Sequence, residues 1–260
     1  MGRNKFGCRY CKIVFTGAPG SGKTTALEQI AKCLDSAYSD KWRIFKVIEV
    51  ASFLYQGRVQ RAEMNERRIN QWQEDIVRTI IQLETVYEHI AEFEEERNVL
   101  ILCDRGCMDP KVFTQPKEWE NFLQKIEIDE NALVARYDCV LQLFTAPKVF
   151  YAQESNPHRR ESHAESAATN ARYTDAWSAH PRFIPIHNTI SDEKDLDNLE
   201  IGLKNSDTSS NNEHSNGKNR EDLRAKQREA WSRKLEEILR HVQQIMDEEE
   251  EIRQREIRDK

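Results

Sequence analysis

The sequence predicts an α/β fold in which a parallel sheet carries helices on both faces. Short apolar runs recur along the chain, stretches with helical periodicity separate them, and a glycine-rich phosphate loop directly follows the first run. Each run is short enough for one strand. The runs are Ile13–Phe15, Ile44–Val50, Val99–Cys103, Cys139–Phe144 and Phe183–Ile186.

The loop after the first predicted strand reads GAPGSGKT over residues 17–24. Its glycines let backbone N–H groups approach closely spaced anionic oxygens, and the helix predicted over 24–36 adds a favourable dipole. We expect Lys23 to reach the β and γ phosphates and the Thr24 hydroxyl to ligate Mg²⁺. The pattern therefore predicts a triphosphate site.

The second predicted strand ends at Glu49. In a parallel sheet its carboxylate lies at the carboxyl edge, where ligands bind, and it could accept a proton from a substrate hydroxyl. A glutamate at this position equally suits the cap of a following turn. The sequence leaves both interpretations open.

A long helix and a third strand come next. Isoleucine, leucine and aromatic residues between Ile69 and Ile90 repeat at spacings of three and four, which places them on one face of a helix that packs on the core. The strand Val99–Cys103 then ends on Asp104 and Arg105. Asp104 is predicted to hold the Mg²⁺ shell, and the Asp-Arg pair resembles the pair of nucleoside and nucleotide kinases, where the arginine lies by the transferred phosphate. The alternative is an aspartate that merely ends a strand.

Three arginines lie on a later segment rich in small residues: Arg159, Arg160 and Arg172. The segment looks like the lid of a small kinase, whose arginines offset charge on the transferred phosphoryl group. A surface helix with solvated arginines is the alternative. Asn188, after the fifth strand, could approach the base or cap a helix, and the cap is favoured.

The remaining chain is predicted to be a polar insertion followed by one helix. Residues 204–222 contain no apolar side chain and are predicted to be flexible. Apolar residues from Trp231 to Ile245 then repeat at helical spacing, and the acidic run from Asp247 is predicted to be solvated and frayed. The domains are therefore 10–203 for the nucleotide, 204–222 for the insertion and 223–260 for the helix with its acidic end.

Composition excludes several classes of protein. A net charge of −6 offers no basic footprint for nucleic acid, and no apolar run is long enough to cross a membrane. The absence of a signal-peptide pattern favours a cytoplasmic protein. Cys8 and Cys11 form a C-x-x-C pair without a second pair nearby, so ordinary thiols are favoured over a zinc or redox site.

Several motifs together resemble one known family. They are GAPGSGKTT, VIEVAS, LILCDRGCMD, RYDCVLQLFTAP and the stretch from RRESHAES to FIPIHN. They resemble the NadR/Ttd-like P-loop (AAA domain) family, which includes the TRPL translocation defect proteins of animals, over about residues 10–190. DRG-x-MD at 104–109 and AW-x-x-HP at 176–181 are more specific to this family than the phosphate loop, which many folds share.

The resemblance implies a three-layer, kinase-like P-loop NTPase fold with a five-stranded parallel sheet of order 2-3-1-4-5. It implies binding of GTP or ATP with Mg²⁺. The preference for GTP over ATP rests on this resemblance alone, because the sequence lacks the N-K-x-D motif that reads guanine. It also implies phosphoinositide binding, a role in membrane-protein trafficking and peripheral membrane association. The phosphate site carried over by residue is Gly17, Gly20, Ser21, Gly22, Lys23, Thr24 and Thr25, with Asp104 and Arg105 from the second motif and the lid arginines less securely.

Three functions remain open on the sequence. The first is a regulatory protein that binds a purine nucleoside triphosphate, with GTP as the expected ligand. The second is a small-molecule or nucleoside kinase in which Lys23, Asp104, Arg105, Glu49 and the lid arginines are catalytic. The third is an interaction protein with a relic P-loop, which the intact loop disfavours.

Overall fold

The computed structural model describes residues 2–151, 162–188 and 213–258. Six strands in this part of the chain form one sheet. They are β1 (Gly2–Arg3), β2 (Arg9–Thr16), β3 (Trp42–Val47), β4 (Asn98–Asp104), β5 (Cys139–Leu143) and β6 (Phe183–Ile186).

Five of the strands are parallel and lie in the order β3-β4-β2-β5-β6. Numbered among themselves, they give the order 2-3-1-4-5, which confirms the predicted fold. Phe15 pairs with Asp104 and Thr16 pairs with Gln142, so the ends of β2, β4 and β5 meet at one edge of the sheet. The antiparallel strand β1 was not predicted, because two residues, Gly2 and Arg3, carry no apolar pattern.

The helices cover both faces of the sheet. They are α1 (Lys23–Tyr38), α2 (Val50–Gln56), α3 (Glu66–Glu92), α4 (Pro116–Ile126), α5 (Glu130–Val134), α6 (His163–Trp177) and α7 (Glu213–Arg258). One core contains Trp72 of α3, Trp119 of α4 and Trp177 of α6, whereas the other contains Ile30 of α1 and Ile238 of α7. The structure therefore has three layers, with a sheet between two layers of helices.

The long helix α3 has the predicted buried face in its first half, whereas Ile90, predicted to lie on the same face, is 49% exposed. Asn65 caps the helix by accepting a hydrogen bond from the Arg68 backbone N–H, and Trp72, Ile76 and Ile80 are buried against the sheet. Each such side chain contributes about 1.5–3 kcal/mol when buried fully. Helix α3 thus lines part of the pocket at the carboxyl ends of β3 and β4.

The C-terminal helix begins earlier than predicted. It starts at Glu213, inside the stretch 204–222 that was predicted to be a flexible insertion. That prediction is wrong for residues 213–222, because helical hydrogen bonds are internal and a docked helix can continue through residues with nothing to bury. Residues 204–212 lie outside the described residues.

The acidic end of α7 is packed in part, contrary to prediction, whereas Asp247 and Glu251 are exposed as predicted. Glu249 is fully buried, and the Arg9 Nε donates to its Oε2 at 2.5 Å. Arg182 pairs with Glu248 at 2.7 Å, and Asn98 donates to Glu250 at 2.7 Å. Side chains at the amino ends of the strands therefore bind three carboxylates of a run that was predicted to be solvated.

Cys8 and Cys11 are fully buried free thiols. Within the described residues, no group of three or more histidine, cysteine or acidic side chains could hold a metal ion. In the same residues, every helix is too short or too polar to cross a membrane.

Candidate functional site

The phosphate loop joins β2 to α1 in a conformation that only glycine adopts easily. Gly17 has φ of 129°, and a Cβ there would lie 2.1 Å from the Leu143 carbonyl oxygen. Gly22 has φ of 86° and occupies the N-cap position of α1. The end of β5 and the start of α1 therefore fix a loop whose backbone can approach a phosphate chain.

Lys23 is buried at the first turn of α1. Its Nζ donates to the carbonyl oxygens of Gly17 at 2.8 Å and Ala18 at 3.0 Å, and to Ser21 Oγ at 3.2 Å. Burial, together with the nearby Arg105 guanidinium, lowers the pKa of Lys23 to about 7. An anionic ligand in the loop would favour the charged form of this lysine.

Thr24 and Asp104 come together as predicted. The Thr24 hydroxyl donates to Asp104 Oδ2 at 2.6 Å, while Asp104 Oδ1 is buried and has no hydrogen-bond partner in the described residues. Burial, reinforced by the neighbouring Glu49 carboxylate, raises the pKa of Asp104. A hydroxyl and a carboxylate with an unused oxygen are ligands that suit Mg²⁺, so these two residues fit the predicted metal. Thr25 is exposed beside them.

Arg105 connects the acidic groups of the site. It follows β4 with φ of 76°, a left-handed conformation, which turns its side chain across the sheet edge. Its Nε donates to Glu49 at 2.5 Å, and its Nη1 donates to Asp109 at 3.2 Å and to the Tyr173 hydroxyl at 2.8 Å. Arg105 therefore holds two carboxylates in fixed positions beside the phosphate loop.

Glu49 lies at the carboxyl edge of the sheet, as predicted. It occupies the N-cap position of α2, but its side chain caps no backbone N–H and is held by Ser52 and Arg105. Burial alone would raise the pKa of Glu49, yet the Arg105 charge and the two hydrogen bonds lower it to about 2. The carboxylate is thus ionised and oriented, but it is a weak base.

Asp109 is a buried residue of the site to which the sequence assigned no role. Its Oδ1 accepts hydrogen bonds from the Thr16 hydroxyl at 2.6 Å and from Trp177 Nε1 at 2.8 Å. Burial raises its pKa despite the Arg105 charge. The DRG-x-MD motif was the available signal, because Asp109 closes that motif five residues after Asp104.

A cavity of about 250 Å³ adjoins the phosphate loop. Its lining includes Lys23, Thr24 and Asp104, together with Glu49 and Arg105. The rest of the lining combines a polar amide with aromatic rings and a basic side chain. These residues are Tyr55, Arg61, Trp72, Gln73 and Phe113.

Of the three predicted lid arginines, the described residues include Arg172 alone. Arg159 and Arg160 lie outside those residues. Arg172 lies on the exposed face of α6, because Tyr173, Ala176 and Trp177 turn the opposite face of this helix to the core. It lines a separate groove of the described structure, so its assignment to the nucleotide site is corrected.

Asn188 links two parts of the structure. Its Nδ2 donates to the Thr145 carbonyl oxygen at 2.6 Å, and its Oδ1 accepts a hydrogen bond from Lys234 Nζ at 2.9 Å. Lys234 belongs to α7, and nothing in the sequence indicated that this helix would reach the phosphate loop. A lysine on an amphipathic helix usually lies in solvent.

Comparisons with known proteins add a family. A family model described as "AAA domain" matches residues 12–192. A search of curated proteins finds no match. A similar solved structure is thymidylate kinase from Ehrlichia chaffeensis, which is 14% identical; the match covers 74% of this chain and 97% of that chain, with a TM-score of 0.45.

Proposed function

We propose that this chain, which belongs to the AAA domain family, transfers the γ-phosphoryl group of a magnesium nucleoside triphosphate to a hydroxyl group of a small acceptor. One observation carries the proposal. The cavity that contains the phosphate-binding side chains Lys23 and Thr24 also contains the ion pair of Glu49 and Arg105. A donor site and an acceptor site would therefore share one open pocket.

The nucleoside triphosphate would be bound by the phosphate loop and by two residues that hold the metal ion. Backbone N–H groups of the loop and the α1 N-terminus would bind the phosphate oxygens, and Lys23 would neutralise charge on the β and γ phosphates. Thr24 and Asp104 would hold Mg²⁺, which when bound offsets charge on these oxygens. The buried Asp104 Oδ1 without a partner in the described residues supports this assignment.

The acceptor end uses Glu49 to orient a hydroxyl group. The acceptor oxygen bonds to the γ phosphorus as the bond to the β-γ bridging oxygen breaks, and the hydroxyl proton leaves through Glu49. A carboxylate with a pKa of about 2 takes up a proton only weakly. Phosphoryl transfer proceeds through a loose transition state that needs little early proton removal, so positioning by Glu49 is its larger contribution.

The aromatic lining of the cavity indicates the chemistry of the acceptor. Tyr55 and Trp72 are stacked, with ring centroids 5.7 Å apart, and Phe113 also lines the cavity. The Gln73 amide, on a residue only 6% exposed, adds a polar group to the wall. Aromatic faces with one amide suit a flat heterocyclic ring with hydrogen-bonding edges, as in a nucleoside.

An acceptor screen tests this function. Purified protein is incubated with MgATP or MgGTP and a panel of nucleosides, including nicotinamide riboside, and phosphorylated products are measured. We expect transfer to at least one acceptor, and a loss of kcat of about 100-fold or more in Glu49→Gln with a smaller change in KM. Glu28→Gln, which removes an exposed carboxylate paired with Lys46, is the matched control. Product formation no faster than background hydrolysis for every acceptor would refute the proposal.

A second candidate function is nucleotide sensing. Lys234 of α7 donates to the Ser21 carbonyl oxygen at 3.0 Å, so a change in the loop could reach the C-terminal helix. This function predicts tight binding with slow turnover, which titration calorimetry with GTP, GDP and ATP would test. GTP preference, phosphoinositide binding and a role in trafficking, implied by the resemblance, stay predictions.

A further inference from the structure

The phosphate loop has a cavity on each flank. The second cavity has a volume of about 410 Å³, within the usual range for ligand pockets. It shares Gly20, Gly22 and Thr25 with the first cavity, but Lys23 and Asp104 line only the first. The groups that would hold the γ phosphate and Mg²⁺ therefore lie on one flank of the loop.

The C-terminal helix α7 forms the outer wall of the second cavity. The Trp231 ring lies against Gly22, where an added Cβ would be 2.6 Å from the ring. Trp231 Nε1 donates to Gln29 Oε1 of α1 at 3.0 Å. The indole is thus fixed at the start of α1. Trp231 and Lys234, both on α7, line the second cavity.

Lys234 attaches the helix to the loop. Its Nζ donates to the carbonyl oxygens of Ser21 at 3.0 Å and Phe144 at 2.8 Å, and to Asn188 Oδ1 at 2.9 Å. The residue is 2% exposed, and these three acceptors satisfy the three donors of an ammonium group. Helix α7 is therefore held at the loop by a buried polar contact, besides its apolar packing.

We infer that the second cavity binds the base of the nucleoside triphosphate and that α7, through Trp231, supplies one face of this base site. A phosphate chain whose γ end lies at Lys23 and Asp104 must leave the loop on the other flank, where this cavity opens. Trp231, Pro147 and Phe150 offer apolar surface against which a flat base can stack. The inference rests on the donor half of the proposed function.

The polar groups of the cavity lie around this apolar surface. Gln227 and Arg228 lie on the exposed side of α7, while Asn188 and Lys234 lie at the inner end. Such an arrangement leaves the faces of a base to the rings and its outer edge to Gln227 and Arg228, while Lys234 and Asn188 hold the inner end in place. The C-terminal helix then makes the site specific for a nucleotide over a bare polyphosphate.

The inference is tested by comparing how Trp231→Leu changes the affinity for nucleotide and the affinity for tripolyphosphate. Calorimetry measures the affinity of wild type and Trp231→Leu for MgATP, for MgGTP and for magnesium tripolyphosphate, which has phosphates but no base. We expect Trp231→Leu to weaken binding of the preferred nucleotide by about 5- to 150-fold, the range for loss of base stacking on an aromatic ring. Binding of tripolyphosphate should be unchanged, and Trp231→Phe should restore most of the nucleotide affinity.

Two controls separate stacking from damage to the fold. Leu239→Ala removes an apolar contact of the same helix outside the cavity and should leave both affinities unchanged. Lys23→Ala should weaken both ligands, because it acts on the phosphates. Unfolding curves for each variant verify that α7 remains packed.

The inference is overturned if Trp231→Leu weakens nucleotide and tripolyphosphate equally, or neither. It is also overturned if wild type binds nucleotide no more tightly than tripolyphosphate. The proposed phosphoryl transfer fails separately, since a selective effect of Trp231→Leu on nucleotide binding would stand even if no acceptor were phosphorylated.

Discussion

Replacement of Glu49 by glutamine removes the charge of the carboxylate but keeps its shape, and the structure gives the expected cost. The pKa of Glu49 falls from 4.5 to about 2 on folding, because the Arg105 charge and the hydrogen bonds outweigh burial. At about 1.4 kcal/mol per pKa unit, ionisation of this group stabilises the fold by about 3 kcal/mol at pH 7. Glutamine resembles the protonated acid, so Glu49→Gln should lose about this free energy of unfolding.

The loss should depend on pH with a definite sign. A carboxyl with a depressed folded-state pKa contributes its full stability above the unfolded value of 4.5, and loses it as the pH falls towards the folded value of about 2. Between pH 7 and pH 3.5 the difference between wild type and Glu49→Gln should therefore shrink by about 1 kcal/mol. The variant itself lacks this part of the pH dependence.

Urea unfolding of both proteins at the two pH values measures these differences. Glu28→Gln serves as the control, because the Glu28 carboxylate pairs with Lys46 on the surface and exposed pairs contribute only about 0–1 kcal/mol. A cost of Glu49→Gln at pH 7 no larger than that of Glu28→Gln would refute the reasoning. So would a difference from wild type that does not change with pH.

Three further predictions concern the phosphate loop and the proposed metal ligand Asp104. Gly17→Ala should destabilise the protein by at least about 2 kcal/mol in urea unfolding, since its Cβ would meet the Leu143 carbonyl oxygen at 2.1 Å; an unchanged midpoint would contradict the loop geometry. Because the pKa of Lys23 is lowered to about 7, calorimetry should show nucleotide affinity falling about 10-fold from pH 6 to pH 8, and a flat profile would contradict this. Asp104→Asn should abolish most of the gain in nucleotide affinity caused by Mg²⁺, whereas an undiminished gain would remove Asp104 from the metal site.

The sheet and the centre of the site were predictable because they depend on local patterns. Buried parallel strands are mostly apolar runs, and Asp104 ends such a run at the sheet edge. Glu49 lies two residues beyond β3, a strand that Arg43 and Lys46 interrupt. The contact of Thr24 with Asp104 follows from the phosphate loop and the strand beside it. Strand order was expected from a family resemblance, since apolar runs alone do not specify which strands pair.

Other features depend on contacts between distant residues. Asp109 meets Thr16 and Trp177 only after β2, β4 and α6 have packed together, so the DRG-x-MD motif marks its position but does not show these contacts. Lys234 and Glu249 look solvated in an amphipathic helix, yet each is buried by polar partners far away in the sequence. A helical pattern shows where apolar side chains repeat, but it does not show which charges will find a buried partner.

One measurement tests the central claim most directly. The protein is mixed with a preferred acceptor from the screen and a magnesium nucleoside triphosphate labelled with ¹⁸O in the γ phosphate, and mass spectrometry locates the label after a single turnover. Phosphoryl transfer in the cavity beside Glu49 predicts label in the acceptor, with far less product from Glu49→Gln. Label found only in inorganic phosphate, or retained in the triphosphate, would contradict it.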